Sequence, residues 1–266
     1  MKSTHTNEPP LVTVITVCYN LLKNDRAGHF RKCLKSVHAQ DYPAVEHLVI
    51  DGASQDGTVE VLEQYAHLGW IRYISEPDSG IYDAMNKGIK MATGDIIATF
   101  NEQFLIVNAI SLMVGAIESD GNDGAHADLI YATDEKVKRY WKMGSGCIEK
   151  GWMPGHPTLY LKRSVYEKYG LYNTKYKCSA DYDFMIRILK DKTLRLAYVP
   201  VTIVRMYYGG TSTEGAGSYM LSLKEAHQAL KENGIKRAWW IDFRRTIKVL
   251  TQFFRAGIYK ENKNAI

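Results

Sequence analysis

Between Leu11 and Phe100, short apolar runs alternate with stretches whose apolar positions recur every three or four residues. Leu11 to Val17 (LVTVITV) reads as a buried strand, and Val45 to Ile50, Trp70 to Ser75 and Ile96 to Phe100 as three more. Helices are expected from about Gly28 to Gln40, with Phe30, Leu34 and Val37 on one face, and from Val59 to His67. A third should begin after the turn Pro77-Asp78-Ser79-Gly80. There Ile81, Ala84, Met85, Gly88, Ile89 and Ala92 fall at helical spacing, and Gly94 marks the stop. Four alternations of strand and helix predict an α/β chain with a mostly parallel sheet covered on both faces.

In such sheets ligands bind beyond the carboxyl ends of the strands. The polar positions collect there: Tyr19 and Asn20 after the first strand, Asp51 after the second, Glu76 to Gly80 after the third, Asn101 to Gln103 after the fourth. One Asp at a strand end is ordinarily a turn or cap residue. Four polar strand ends in succession predict a site.

The second half is less regular. Leu105 to Ile117 should be helical, Asp128 to Tyr131, Lys138 to Met143 and Thr158 to Leu161 strands, and Leu194 to Val204 a strand or hairpin. Ser164 to Tyr169 predicts a short helix stopped by Gly170, and Asp181 to Leu189 another, capped by Ser179. Met143 to Pro157, rich in Gly and Pro, reads as an irregular loop of the kind that carries function.

A chain of 266 residues, 45% hydrophobic, can build one large core without disulfides. Cys18, Cys33, Cys147 and Cys178 are scattered, which signals neither a disulfide framework nor a zinc site and fits a reducing cytoplasm. The first residues lack the apolar core of a signal peptide, and no run approaches the roughly 20 apolar residues of a membrane span. The net charge of +5 is concentrated after Lys236, where Arg and Lys interleave with Trp239, Trp240, Phe243, Ile247, Phe253 and Phe254. Such a helix either lies in a membrane interface or packs its apolar stripe on the core, and periodicity leaves both readings open. No nucleic-acid-binding motif accompanies the charge.

The run Ser75 to Asp95, SEPDSGIYDAMNKGIKMATGD, resembles the donor-site region of inverting family 2 glycosyltransferases of bacterial surface-polysaccharide pathways. Thr16 to Asn20, Ile50 to Thr58, Gly151 to Pro157, Ser179 to Asp183 and Gly209 to Ser212 are similar to further motifs of that family, in order. The resemblance implies a GT-A domain over 11–215, with a nucleotide-sugar half (11–104) and an acceptor half (105–215). A disordered N-terminus (1–10) and a C-terminal helical extension (216–266) would flank it. It also implies transfer of a sugar, by analogy from a UDP-sugar, to a lipid-linked oligosaccharide of O-antigen, capsule or exopolysaccharide assembly. That work would take place in the cytoplasm or at the inner face of the cell membrane, with no organic cofactor.

By the same resemblance Thr16, Tyr19 and Asn20 belong to the nucleotide site, with Tyr19 against the base and Asp51 accepting a hydrogen bond from it. Asp78, Asn86 and Lys87 would line the ribose and diphosphate, where a Lys is a compact charge for phosphate. Asp181 aligns with the Asp of the family's acidic ED motif, Ala180 replacing the Glu, and is the expected general base, with Asp183 the second choice. Glu102, His156 and Arg205 would serve the diphosphate and acceptor region. The family holds Mg²⁺ or Mn²⁺ with an acidic motif where this chain has Asn101, Glu102 and Gln103. Amide oxygens bring no charge, so metal should bind weakly, and Lys87, His156, Arg205 or helix-end N–H groups should offset more of the leaving charge. The lost acidic cluster also motivates an alternative, a weakly active or inactive nucleotide-sugar-binding assembly subunit. A sugar nucleotidylyltransferase would need a glycine-rich basic loop that Cys18 to Asp25 does not provide.

Overall fold

A computed structural model describes residues 8–208 and 216–259. At its centre lies β1 (Val12–Cys18), buried at every position and paired in parallel with β2 (Val45–Asp51) on one side and β4 (Ile96–Thr99) on the other. β3 (Arg72–Ser75) extends the parallel set beyond β2. The remaining strands are β5 (Gln103–Phe104), β6 (Gly124–Ala132), β7 (Val137–Trp141), β8 (Tyr160–Lys162) and β9 (Leu196–Tyr207). The sheet order is β3-β2-β1-β4-β8-β6-β9-β5, with β7 beside β6. β8 runs antiparallel to both β4 and β6, and β9 parallel to β6, so β6 and β9 point the same way as β1 to β4. Six carboxyl ends therefore meet on one side of the molecule.

The strand period of two divides β1 between two layers. Ile15 and Val17 pack with Ala84, Met85 and Ile89 of α3 (Ile81–Met91), whereas Val12 and Val14 pack with Cys33 and Val37 of α1 (Ala27–His38) and with α4 (Ala109–Ser119). Each fully buried Val, Leu or Ile in these layers contributes roughly 1.5–3 kcal/mol. α3 lies close on the sheet because residue 88 is glycine: a Cβ there would come within 2.5 Å of the Ile15 methyl. α2 (Thr58–His67) covers the far end of the sheet with Leu62. α5 (Arg163–Tyr169) and α6 (Ala180–Leu189) join the α3 layer, as do α7 (Ala216–Glu232) and α8 (Ala238–Ala256).

The four leading strands and three leading helices fall within a few residues of their predicted places, and three local expectations change. Gly94 does not stop α3, which ends at Met91 with Ala92 already extended. Gly94 instead lies where a Cβ would meet the Leu11 carbonyl and the Thr13 amide, each at 2.6 Å. The helix expected from Leu105 begins only at Ala109, because Gln103–Phe104 form β5 against β9 and Phe104 stacks on Phe100 with ring centroids 4.0 Å apart. Ser179 does not cap α6: its hydroxyl donates to the Ser222 carbonyl. The incoming amides of Lys177, Cys178 and Ser179 donate to the buried Glu225 carboxylate of α7.

Candidate active site

Tyr19 leaves the end of β1 with 59% of its surface exposed. Asn20 follows in the left-handed region (φ 46°), its amide donating to Ser54 Oγ and its Oδ1 accepting from Gln55. These bonds tie the loop after β1 to the loop after β2. Asp51 completes the tie, but from inside. Its carboxylate is fully buried and accepts from the Ser54 amide (2.9 Å), Ser54 Oγ (2.5 Å) and Ser75 Oγ (2.7 Å). It therefore shapes three strand-end loops, and in this geometry it is not presented to a base.

Tyr19 and Asp78 both border Gly52. A Cβ on Gly52 would lie 2.6 Å from Asp78 Oδ2 and 3.2 Å from the Tyr19 ring. An exposed aromatic face beside a carboxylate suits a planar heterocycle carrying hydroxyls or imide N–H groups. Lys87 sits at the same loop, paired with Glu76 at 2.9 Å and donating to the Pro77 carbonyl, and the Glu76 bond raises its pKa. Thr16 and Asn86, expected among the donor contacts, are turned inward. Thr16 is buried and donates to the Phe100 carbonyl, and Asn86 uses both ends of its amide on the backbone of Tyr172.

Across the strand ends, Asp181 opens α6 and is partly buried. The Tyr82 hydroxyl of α3 donates to its Oδ1 at 2.8 Å. Burial first, and the Asp181 charge next, push the Tyr82 phenol well up, so it remains a donor throughout the physiological range. Among the described residues, Asp181 Oδ2 takes no hydrogen bond. Asp183 is not a spare base. It is buried, with one oxygen on Arg187 (3.0 Å) and the other accepting from Asn233 (2.8 Å).

His156 connects to Tyr82 through Tyr172. Its Nε2 is 2.9 Å from Thr99 Oγ1 and 2.8 Å from the Tyr172 hydroxyl, and the Tyr172 ring is 5.8 Å from that of Tyr82. Burial lowers the His156 pKa while Asp181 acts in the opposite direction. The imidazole is thus a link in a chain from Thr99 to Tyr172. Sequence alone does not single out Tyr82, Tyr172 or Glu225. Only Tyr82 carried a signal, its place one turn before Asn86 and Lys87.

The metal position is filled differently. Asn101 Oδ1 accepts from the Val17 amide (3.2 Å) and its Nδ2 donates to the Val17 carbonyl (2.5 Å), so the side chain acts as one more rung of the sheet. Glu102 accepts from the Tyr207 amide at 3.2 Å and turns into a polar cavity lined also by His29, Lys32, Thr133, Asp134 and Arg205. Burial pushes its carboxyl up to about 7. Arg205 donates to the Thr133 carbonyl in the same cavity and does not join Asp181 and His156. Among the described residues no three His, Cys, Asp or Glu side chains are grouped to hold a metal ion. These residues do not fit a divalent cation: one amide is spent on backbone, and the one carboxylate faces elsewhere. Gly209 to Ser212 lie outside the described residues.

An open α/β sheet of this order, with donor-type loops at one set of strand ends, is the GT-A fold. A structure of TarS of S. aureus matches with a TM-score of 0.61 over 96% of this chain, at 14% identity, this chain spanning 44% of that one. The structure of TarS 1-349 with UDP-GlcNAc matches with a TM-score of 0.64 (93% of this chain, 72% of that one, 14% identity). Mannosyltransferase PcManGT from Pyrobaculum calidifontis, in complex with GDP-Man and Mn²⁺, matches at 0.60 (96% and 77%, 17% identity). The family model for glycosyl transferase family 2 matches residues 13–188, and the chain belongs to that family. It is a glycosyltransferase. An uncharacterized glycosyltransferase of Mycobacterium tuberculosis is 30% identical over 218 residues, covering 79% of this chain and 78% of its own. A PGL/p-HBAD biosynthesis glycosyltransferase of Mycobacterium bovis is 28% identical over 210 residues (76% and 79%).

Proposed function

We propose that the protein transfers one sugar, with inversion, from a nucleotide-diphospho-sugar to a hydroxyl of a lipid-linked glycan, with Asp181 as general base. The observation that carries this reading is the division of labour on Asp181: Tyr82 holds one oxygen, and the other is left without a hydrogen bond among the described residues. As the acceptor oxygen bonds to the anomeric carbon, its proton passes to that free oxygen. The bond from the anomeric carbon to the diphosphate breaks, and its electron pair leaves with the nucleotide.

On the donor side, the nucleoside falls to Tyr19 and Asp78 and a phosphate to Lys87 in this reading, and the closeness of Tyr19 and Asp78 at Gly52 supports it. UDP-GlcNAc bound to TarS and GDP-Man bound to the Pyrobaculum enzyme support a nucleotide sugar as donor, and TarS favours a uridine one. The lipid-linked acceptor rests on the family resemblance and on the role in PGL biosynthesis named for the mycobacterial relative.

The test is a panel of nucleotide sugars, scored by thermal shift and by release of the nucleoside diphosphate in the presence of extracted lipid-linked glycans. Product anomeric configuration is then read by NMR. A donor that both stabilises the protein and turns over, with inverted product, is expected. Retention of configuration, or full activity of Asp181→Asn, would overturn the reading.

A further inference from the structure

The C-terminal hairpin presents a surface that the transfer reaction does not use. α8 docks through one side only. Ala238, Ile241 and Gln252 are buried, Gln252 accepts two hydrogen bonds from Arg139 of β7, and Arg245 stacks on Tyr182 of α6. At about 100° per residue, the other side gathers Trp239, Phe243, Ile247, Leu250 and Phe254 into one stripe. All five are exposed, Trp239 by 67% and Phe254 by 82%.

The charge on α8 is arranged around that stripe. Arg244, Lys248 and Arg255 are exposed roughly 120° further round the helix, again at about 100° per residue. Lys150, from the loop against which α8 packs, adds its field to Lys248. The single acid of α8, Asp242, turns inward, 2.6 Å from His227 Nδ1 of α7. On α7, Tyr219 and Met220 are exposed too.

We propose that this face seats the protein on an anionic lipid surface, the aromatic stripe entering the headgroup boundary and the basic flank meeting lipid phosphates. A bulky apolar stripe, a one-sided cationic flank and no outward acid together are the pattern of a helix lying in the interface plane. No described helix is long and apolar enough to cross a membrane. A second copy of the chain is a poorer occupant. Antiparallel two-fold pairing of the stripe with itself brings both basic flanks to a shared rim, and parallel pairing leaves each flank with no outward α8 acid across from it. The inference deepens the lipid-linked acceptor reading and rests on it for its purpose, although its test needs no turnover.

The full chain is sedimented with vesicles of phosphatidylcholine alone or with phosphatidylglycerol added. Binding to the anionic vesicles is expected to exceed binding to the neutral ones by on the order of tenfold, and to weaken in high salt. The triple variant Trp239→Ala, Phe243→Ala, Phe254→Ala should stay in the supernatant. Arg244→Glu with Lys248→Glu should lose the preference for anionic lipid. A thermal melt by circular dichroism, unchanged in both variants, shows that the fold is intact. A wild-type chain that ignores anionic vesicles, or a triple variant that still binds them, overturns the inference. So does a stripe-dependent dimer by sedimentation velocity in a chain that does not bind vesicles. If vesicles bind while no nucleotide sugar does, the transferase chemistry fails and the lipid surface stands.

Discussion

The Tyr82 hydroxyl and Asp181 Oδ1 are 2.8 Å apart, although 99 residues separate them in the chain. One belongs to α3 and the other to α6, so this bond joins the two helices across the strand ends. It is charge-assisted, and such bonds contribute roughly 1.5–3 kcal/mol. Tyr82→Phe keeps the ring against Tyr172 and releases the carboxylate to rotate. The expected result is a fall in kcat of about ten- to a hundredfold, with donor KM and melting temperature little changed; steady-state kinetics beside a thermal melt will show it.

Asp181→Asn should leave the melting temperature within about a degree or two and reduce kcat by roughly 10²–10⁴-fold, the usual range for a lost general base. Asp183→Asn should behave in the opposite way. It weakens the contacts with Arg187 and Asn233, which costs stability while transfer in the remaining folded protein survives. Measuring both variants side by side separates the base from its neighbour.

Chelation with EDTA should leave most transfer activity in place, since neither Asn101 nor Glu102 offers oxygens to a cation at the motif position. Restoring an acid there should not create a metal site. Asn101→Asp removes the donor to the Val17 carbonyl and sets a carboxylate oxygen against it. A loss of about 1–3 kcal/mol in stability is expected, with no gain in Mn²⁺ affinity by calorimetry. Activity that vanishes with EDTA and returns with Mn²⁺ would show that a metal is held elsewhere.

Glu102 makes stability depend on pH. Its carboxyl is raised from 4.5 to about 7, so in that window the folded chain binds the proton more tightly than the unfolded chain. Stability therefore falls as pH rises from about 4.5 through 7 on account of this group. Glu102→Gln keeps an acceptor for the Tyr207 amide and removes the charge. It should gain on the order of 2 kcal/mol at pH 8 and almost nothing at pH 4, as measured by urea unfolding at both values.

The first four strands and the loops at their ends were legible in the sequence because periodicity and turn chemistry are local properties. The motif order carried the family for the same reason, since each motif is a contiguous run. What was not legible depends on distant partners. Asn86 reads as a ligand-facing amide until the backbone of Tyr172, 86 residues away, takes both of its ends. Asp51 reads as a binding carboxylate until Ser54 and Ser75 enclose it. Two residues, Gln103 and Phe104, are too few to show a strand period, and it is β9 that makes them one. The Glu102 side chain gave no sign in the sequence that it would turn toward Tyr207.

Glu225 has a consequence for where the protein can be cut. The family model's match ends at residue 188, yet the three amides that lead into the Asp181 helix end on a carboxylate at 225. A chain trimmed to its recognisable part would leave those N–H groups without their acceptor, and the turn that leads into Asp181 would relax. The minimal unit of recognition is thus shorter than the minimal unit of folding, and the hairpin belongs to the second.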